Sequence, residues 1–174
     1  MVDLSRRGAR KKAADSSVQR RKHELDLALA LMYFAFRKMI EEPDRILALR
    51  GLGRVHHRVL FFVARRPGLS VGELLSILAV SKQSLHGPMQ KLSREGLLES
   101  RPHPKNRRIK RLFLTRNGNA FENRLSGIQR DLFRRAFQGR GRSAEKAFRG
   151  VLGQVGEGRA EAVLTGPWTT SPTP

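Results

Sequence analysis

Residues 69–94 read LSVGELLSILAVSKQSLHGPMQKLSR, and two short helices joined by a tight turn account for them. Ser70 is an N-cap residue for a helix from Val71 to Leu78, with Glu73 in its first turn, where a carboxylate favours the helix dipole. Val71, Leu74, Leu75 and Leu78 supply its apolar side. Ala79-Val80 makes the turn, and Ser81 caps a second helix that runs to Arg94 and is closed by Gly96. Leu85, Met89 and Leu92 fall on one face of this second helix, leaving Lys82, Gln83, Ser84, His86, Gln90 and Lys91 to face outward. The pattern is a helix-turn-helix.

Working outward, Leu52, Val55, Val59 and Phe62 form the stripe of a supporting helix over about 53–66, stopped by Pro67-Gly68. Downstream, Leu97–Arg101 and Ile109–Leu114 are strand candidates around the turn Pro102-His103-Pro104-Lys105-Asn106, a hairpin with a basic tip. Thr115 caps a further helix through Phe121, Leu125, Ile128, Leu132 and Phe133, broken at Gly139 and Gly141. A last helix is expected from Ser143, weakened by Gly150, Gly153 and Gly156. Upstream, residues 23–41 carry Leu25, Leu29, Met32, Phe36 and Met39 at helical spacing, with Ala28, Leu31 and Ala35 widening the stripe beyond one face. Such a helix is central or paired with a second chain, and Pro43 is expected to stop it. Phe34, Phe36, Phe133 and Phe148 read as core of such a pairing rather than as a cofactor box.

The fold class expected is therefore mostly α with a small β-hairpin wing: a winged helix-turn-helix with flanking helices. The expected organisation is a disordered basic arm (1–22), an N-terminal dimerisation helix (23–42), a winged lobe (45–115), C-terminal dimerisation helices (116–165) and a disordered tail (166–174).

Charge narrows the function. Of 174 residues, 35 are Lys or Arg and 15 Asp or Glu, a formal net charge of +20. A chain so basic repels itself unless a polyanion is near, and the commonest are nucleic acids and anionic membrane surfaces. Residues 1–22 hold eight basic residues and two acids. With no cysteine there is no disulfide, thiolate zinc site, cysteine nucleophile or thiol sensor. Leu27–Phe36, the longest uncharged apolar run, is far short of the roughly 20 residues a membrane-spanning helix needs. A cytoplasmic, nucleoid-associated protein with no membrane partner is expected. No phosphate-cradling glycine loop, nucleophile elbow, metal motif or carboxylate pair is present, so an enzyme is not expected, nor any cofactor.

The outward residues suit double-stranded DNA. Gln83 and Gln90 can present amide pairs to adenine edges, while Ser84 and His86 can hydrogen-bond to several bases. Ser81 and Lys82 sit at the helix N-terminus, where phosphate binds. In the hairpin, residues 100–121 contain Arg101, Lys105, Arg107, Arg108, Lys110, Arg111 and Arg116 without one acid. An arginine at such a tip can enter the minor groove, where negative potential is focused.

The stretch from Leu52 to Leu125 resembles the winged-helix core of the MarR family of bacterial transcriptional regulators. The strings that carry the resemblance are LSVGELLSILAVSKQSL, KLSREGLLESRP, NRR and LFLTRNG. GLGRVHHRVLFFVARRPGLSVGELL and SKQSL are similar to its PetP-like branch. The resemblance implies a homodimer built from the terminal helices, a pseudo-palindromic operator and, in many members, a small-molecule effector in the cleft between dimer helices and DNA-binding lobe. His57 and Arg58 are the candidates to meet such an effector.

Three positions depart from the family's pattern. Asn106 stands two residues before Arg108, where an aspartate usually holds the wing arginine. Gly87-Pro88 sits inside the recognition helix, where a bend or a late start is expected. Ala79 takes the place of a glycine in the turn. His56 and His57 are adjacent, whereas a helical zinc pair needs ligands three or four apart, so no metal is expected. A second class of function stays open: a non-specific architectural nucleic-acid binder, which the high charge also suits.

Overall fold

A computed structural model describes the backbone of residues 3–104 and 106–157, and the side chains from Ser16 onward. Six helices and three strands follow in the order α1 (Asp3–Ala48), α2 (Arg54–Arg65), β1 (Leu69–Ser70), α3 (Val71–Leu78), α4 (Lys82–Arg94), β2 (Leu98–His103), β3 (Asn106–Leu114), α5 (Arg116–Phe137) and α6 (Gly141–Val155). The chain divides into two compact units, residues 1–41 and the remainder from Glu42. The fold is mostly helical with a small antiparallel sheet, as the sequence led us to expect.

The second unit is built around one core in which Leu47, Val59, Leu60, Val63, Leu74, Leu92, Leu112 and Leu125 are wholly buried. The strands lie in the order β1-β3-β2. Leu69 pairs with Leu112, and Leu98 with Leu114, so the inward residues of β3 meet leucines on both sides. β1 escaped the sequence reading because it is two residues long and carries no alternation. It forms because Gly68, in the left-handed region at φ 83°, turns the chain so that its N–H donates to the Leu112 carbonyl at 2.8 Å.

Local chemistry fixes the helix starts. Ser70 and Glu73 form a reciprocal capping box: the Glu73 N–H donates to Ser70 Oγ at 3.2 Å, and the Ser70 N–H to Glu73 Oε2 at 2.8 Å. The Ser70 hydroxyl, which donates to Glu73 Oε2 at 2.6 Å, and with it the Ser70 N–H hold the Glu73 carboxyl below the usual carboxylate range. Ala79 closes α3 at φ 52°, ψ 45°, a left-handed conformation that glycine adopts at lower cost. Ser81 Oγ accepts from the Ser84 N–H at 3.2 Å, so α4 starts at Lys82 and continues across Pro88. The expected late start is not observed.

Two further expectations are corrected. Pro43 does not stop the first helix, which runs on to Ala48. The turn beyond it buries Ile46 and Leu47 in the core, and that burial outweighs the lost backbone bond. The arm over 1–22, expected to be disordered, is helical from Asp3. Its Ala, Arg, Lys and Gln residues are strong helix formers, and they extend a nucleus already made downstream. Every side chain from Ser16 to Lys38 is exposed. The tail over 166–174 lies outside the described residues.

Candidate nucleic-acid interface

Helix α4 is held to the core by Leu85 and Leu92. This sets its opposite side outward, and Lys82, Gln83, Ser84, His86 and Gln90 are exposed there as the periodicity requires. Two of them are ordered by their neighbours. Arg94 Nη2 donates to Gln90 Oε1 at 3.2 Å, and the Gln90 amide nitrogen lies 2.9 Å from His86 Nε2. A guanidinium can only donate, so Gln90 turns its oxygen to Arg94 and its N–H donates to His86, whose Nε2 accepts. Arg94 was absent from the residues singled out in the sequence. The signal was there in the spacing, since 86, 90 and 94 are each four apart on one face.

Ser84 is less free than its position suggests, because its hydroxyl donates to the Ser81 carbonyl at 2.8 Å and lies 3.1 Å from Ser81 Oγ. Lys91 is a clear departure. Its Nζ donates to the Gly51 carbonyl at 2.6 Å, in the turn between α1 and α2, so it braces the back of the lobe. Helical phase places it on the outward face, and only the tertiary position of that turn decides the matter.

The wing is the β2–β3 hairpin, with a register irregularity at Pro102/His103. Arg107, Arg108 and Lys110 are exposed along β3. Asn106 Oδ1 accepts from the Arg108 backbone N–H at 3.1 Å, so Asn106 shapes the backbone of the tip and leaves the guanidinium unrestrained by a carboxylate. Lys105 lies outside the described residues. Arg101 is engaged within the wing: it pairs with Glu99 at 2.5 Å and stacks 4.6 Å from the centre of the Phe113 ring. Glu99 stands just before the acid-free stretch, which is how the sequence concealed the pairing. Arg111 serves the fold, donating to the Gly68 carbonyl at 2.7 Å. Between α4 and the sheet runs an open groove of about 370 Å³, walled by His86, Gln90 and Arg94 and floored by Met89, Leu98 and Leu112.

His57 and Arg58 are not brought together. Arg58 is exposed, whereas His57 is half-buried near the Arg65–Glu122 pair that ties α2 to α5. Arg65 Nη1 meets Glu122 Oε1 at 2.6 Å, its Nη2 donates to Ser126 Oγ at 3.3 Å, and Ser126 in turn bonds Glu122. Burial lowers the His57 pKa below 6.5, and this outweighs the opposing pull of Glu122. His56 takes a structural part, its Nδ1 accepting from the Gly53 N–H at 2.9 Å at the start of α2. The Nε2 atoms of both histidines are buried without a partner. No helix among the described residues is long and apolar enough to cross a membrane.

Comparison with known proteins agrees with this geometry. The sequence pattern of the MarR family matches residues 50–109. A protein named HTH-type transcriptional regulator PetP, from Rhodobacter capsulatus, is 41% identical over 129 residues, 74% of this chain and 78% of that one. Among solved structures, a MarR-family transcriptional regulator from Silicibacter pomeroyi superposes with a TM-score of 0.61 at 24% identity, covering 74% of this chain and 86% of its own. A MarR transcriptional regulator from Methanosarcina mazei gives 0.62 at 20% identity, covering 79% and 99%. At such identities the two structures speak for the fold alone.

Proposed function

Since this chain belongs to the MarR family of transcriptional regulators, which are DNA-binding regulators and not enzymes, we propose that it acts as a homodimer reading a pseudo-palindromic operator in double-stranded DNA. Each lobe takes one half-site, with the two α4 helices about 34 Å apart, one turn of the duplex. Gln83, Ser84, His86 and Gln90 read base edges in the major groove. Ser81 and Lys82 meet phosphate at the start of α4. Arg107, Arg108, Lys110 and Lys105 supply backbone and minor-groove contact, and Arg101 stiffens the wing they stand on.

The observation that carries this reading is the shared face. The capped helix and the wing hairpin border one groove, and Arg107, Arg108 and Lys110 stand exposed on β3 of that hairpin. The homodimer is supported by the exposed apolar side chains of α1, among them Leu29 at 71%, Phe34 at 67% and Leu31 at 60%. Monomeric soluble proteins seldom leave so continuous a patch open. The domain roles follow: residues 23–42 and 116–165 join the two copies, and residues 45–115 bind DNA. Response to a small-molecule effector is the finer part of this reading. It is supported by the unpartnered Nε2 of His57 beside the Arg65–Glu122 pair.

The test is a fluorescence-anisotropy titration near physiological salt, comparing DNA from upstream of the protein's own gene with a shuffled duplex. Preference on the order of a thousandfold is expected of a specific regulator. Equal affinity, with a steep salt slope and no sequence enriched from a random pool, would instead establish an architectural binder. Arg108→Ala should weaken binding to all duplexes and reduce the salt slope by about one. Unchanged affinity would remove the wing from the interface.

A further inference from the structure

The two glutamines on the outward face of α4 are held differently. Both Gln83 and Gln90 are exposed. Among the described residues Gln83 makes no side-chain hydrogen bond, so its amide turns freely. Gln90 is held at both ends: Arg94 Nη2 donates to its Oε1 at 3.2 Å, and its nitrogen donates to His86 Nε2 over 2.9 Å. His86, Gln90 and Arg94 follow one another at intervals of four, so the histidine lies one turn before the glutamine and the arginine one turn after it. The amide is therefore drawn out along the helix, its nitrogen towards the start of α4 and its oxygen towards the end.

A count of valences says what is left over. A primary amide has two N–H donors and two lone pairs on its oxygen. His86 takes one donor and Arg94 one lone pair, each from its own end. One N–H and one lone pair remain, side by side on the edge between them. In the major groove adenine presents the complementary pair, the N7 acceptor beside the N6 amino donor. Guanine presents two acceptors, N7 and O6, and sets O6 against the amide oxygen. A freely turning amide escapes that clash by offering its N–H side. The Gln90 amide does not turn, because turning would set its N–H against Arg94, and a guanidinium cannot accept. A phosphate, which only accepts, is also a poor match for an edge that is half acceptor.

We infer that Arg94 is a positioning residue for base recognition: with His86 it locks the Gln90 amide in the orientation that reads adenine, at one position of each half-site, and so excludes guanine there. This rests on the reading of α4 as the major-groove helix, and adds the identity of one contacted base and the side chains that enforce it. The lock is set before DNA arrives, so ordering the glutamine costs nothing at the moment of binding.

The experiment uses the full-length protein and a duplex that it enriches from a random pool. Gln90→Ala identifies the position read, where the preference between adenine and guanine should fall to near parity while preferences elsewhere persist. At that position wild type should favour adenine over guanine by roughly tenfold or more. Replacing that adenine by 7-deazaadenine, which lacks N7, or by unsubstituted purine, which lacks the N6 amino group, should weaken binding several-fold in each case. Arg94→Met should reduce the adenine-to-guanine ratio to about threefold or less, and Arg94→Lys, which keeps a donor within reach, should retain more of it. The ratio is the diagnostic readout, because a lost phosphate contact weakens both duplexes alike. The Tm of Arg94→Met should stay within a few degrees of wild type, since Met and Arg are similar helix formers at an exposed position. An unchanged ratio in Arg94→Met, full affinity for the 7-deazaadenine duplex, or uniform weakening of every duplex by Gln90→Ala overturns the inference while leaving the operator reading intact. Failure of the wild type to enrich any sequence overturns both together.

Discussion

Helices α1 and α2 are both rich in apolar side chains, yet they use them in opposite ways. In α2, Val59, Leu60 and Val63 are completely buried, and Arg54, Arg58 and Arg65 occupy the other sides. In α1, Leu25, Leu29, Leu31, Tyr33 and Phe34 are all half or more exposed. The difference lies in how the residues are distributed. A stripe of one helical face can be satisfied by a single neighbouring layer, and α2 has one. The run LALALMYFAF (27–36) is apolar on every side, and no single layer of the same chain can cover it. Apolar content thus identifies helices in both regions, but only its periodicity tells whether the chain itself completes the burial.

The largest expected effect tests the self-sufficient region. Gly118, in the first turn of α5, lies so close to the residue preceding β2 that an added Cβ would stand 1.9 Å from the Leu97 carbonyl oxygen. Both partners are backbone and cannot yield. Gly118→Ala should cost about 3 kcal/mol or more, visible as a large fall in Tm or as failure to fold. Gly72→Ala, at a helical position where nothing lies within 4 Å, should leave the Tm unchanged or raised. Similar behaviour of the two variants would mean that α5 is not seated on Leu97. The next test addresses the other region. Phe34→Asp places charge in the exposed stripe and, if that stripe joins two copies, enters the interface twice. Sedimentation should move from dimer towards monomer, a loss of at least about 2 kcal/mol in association. An unchanged dimer would place the interface elsewhere and remove the contrast drawn here.

The same contrast explains what was legible in the sequence. Ser70-x-x-Glu73, Ser81 and Pro67-Gly68 act over three or four residues, so the helix starts and stops of the winged lobe could be read directly. Pro43 was misread because its neighbours decide for it: Ile46 and Leu47 are buried by residues remote in sequence. Phase and charge assign Lys91 and Arg101 to the DNA face, and they are drawn aside, Lys91 by Gly51 and Arg101 by Glu99 and Phe113. Arg65 and Glu122 are 57 residues apart, and no local pattern joins them. Gly118 was quoted in the string LFLTRNG, but the reason for a glycine there is a contact with another element. A smaller prediction checks the local part. Ser70→Ala removes the capping box and should cost about 1 kcal/mol, a fall of a few degrees in Tm. No change would mean that α3 is held by its core leucines alone.

The smallest effect expected is a dependence of stability on pH that originates in α2. Burial lowers the pKa of His57 and of His56 below 6.5 in the folded chain. The unfolded chain, with its histidines at ordinary values, therefore binds more protons than the folded one once the pH falls below about 6.5. Stability is complete above that point and declines as the pH falls through the lowered folded values. Glu73 shifts in the same sense, but its loss begins only near the carboxylate range around 4.5, below the pH at which the histidine loss begins. Urea midpoints should fall between about pH 7.5 and about pH 5.5 in the wild type, and fall less in His57→Gln. The residual slope in that variant belongs to His56, whose shift has the same sign. An invariant wild-type midpoint across this range would mean that the buried imidazoles find partners when they charge. The Arg65–Glu122 pair beside His57 would then be the first place to look for the one it takes.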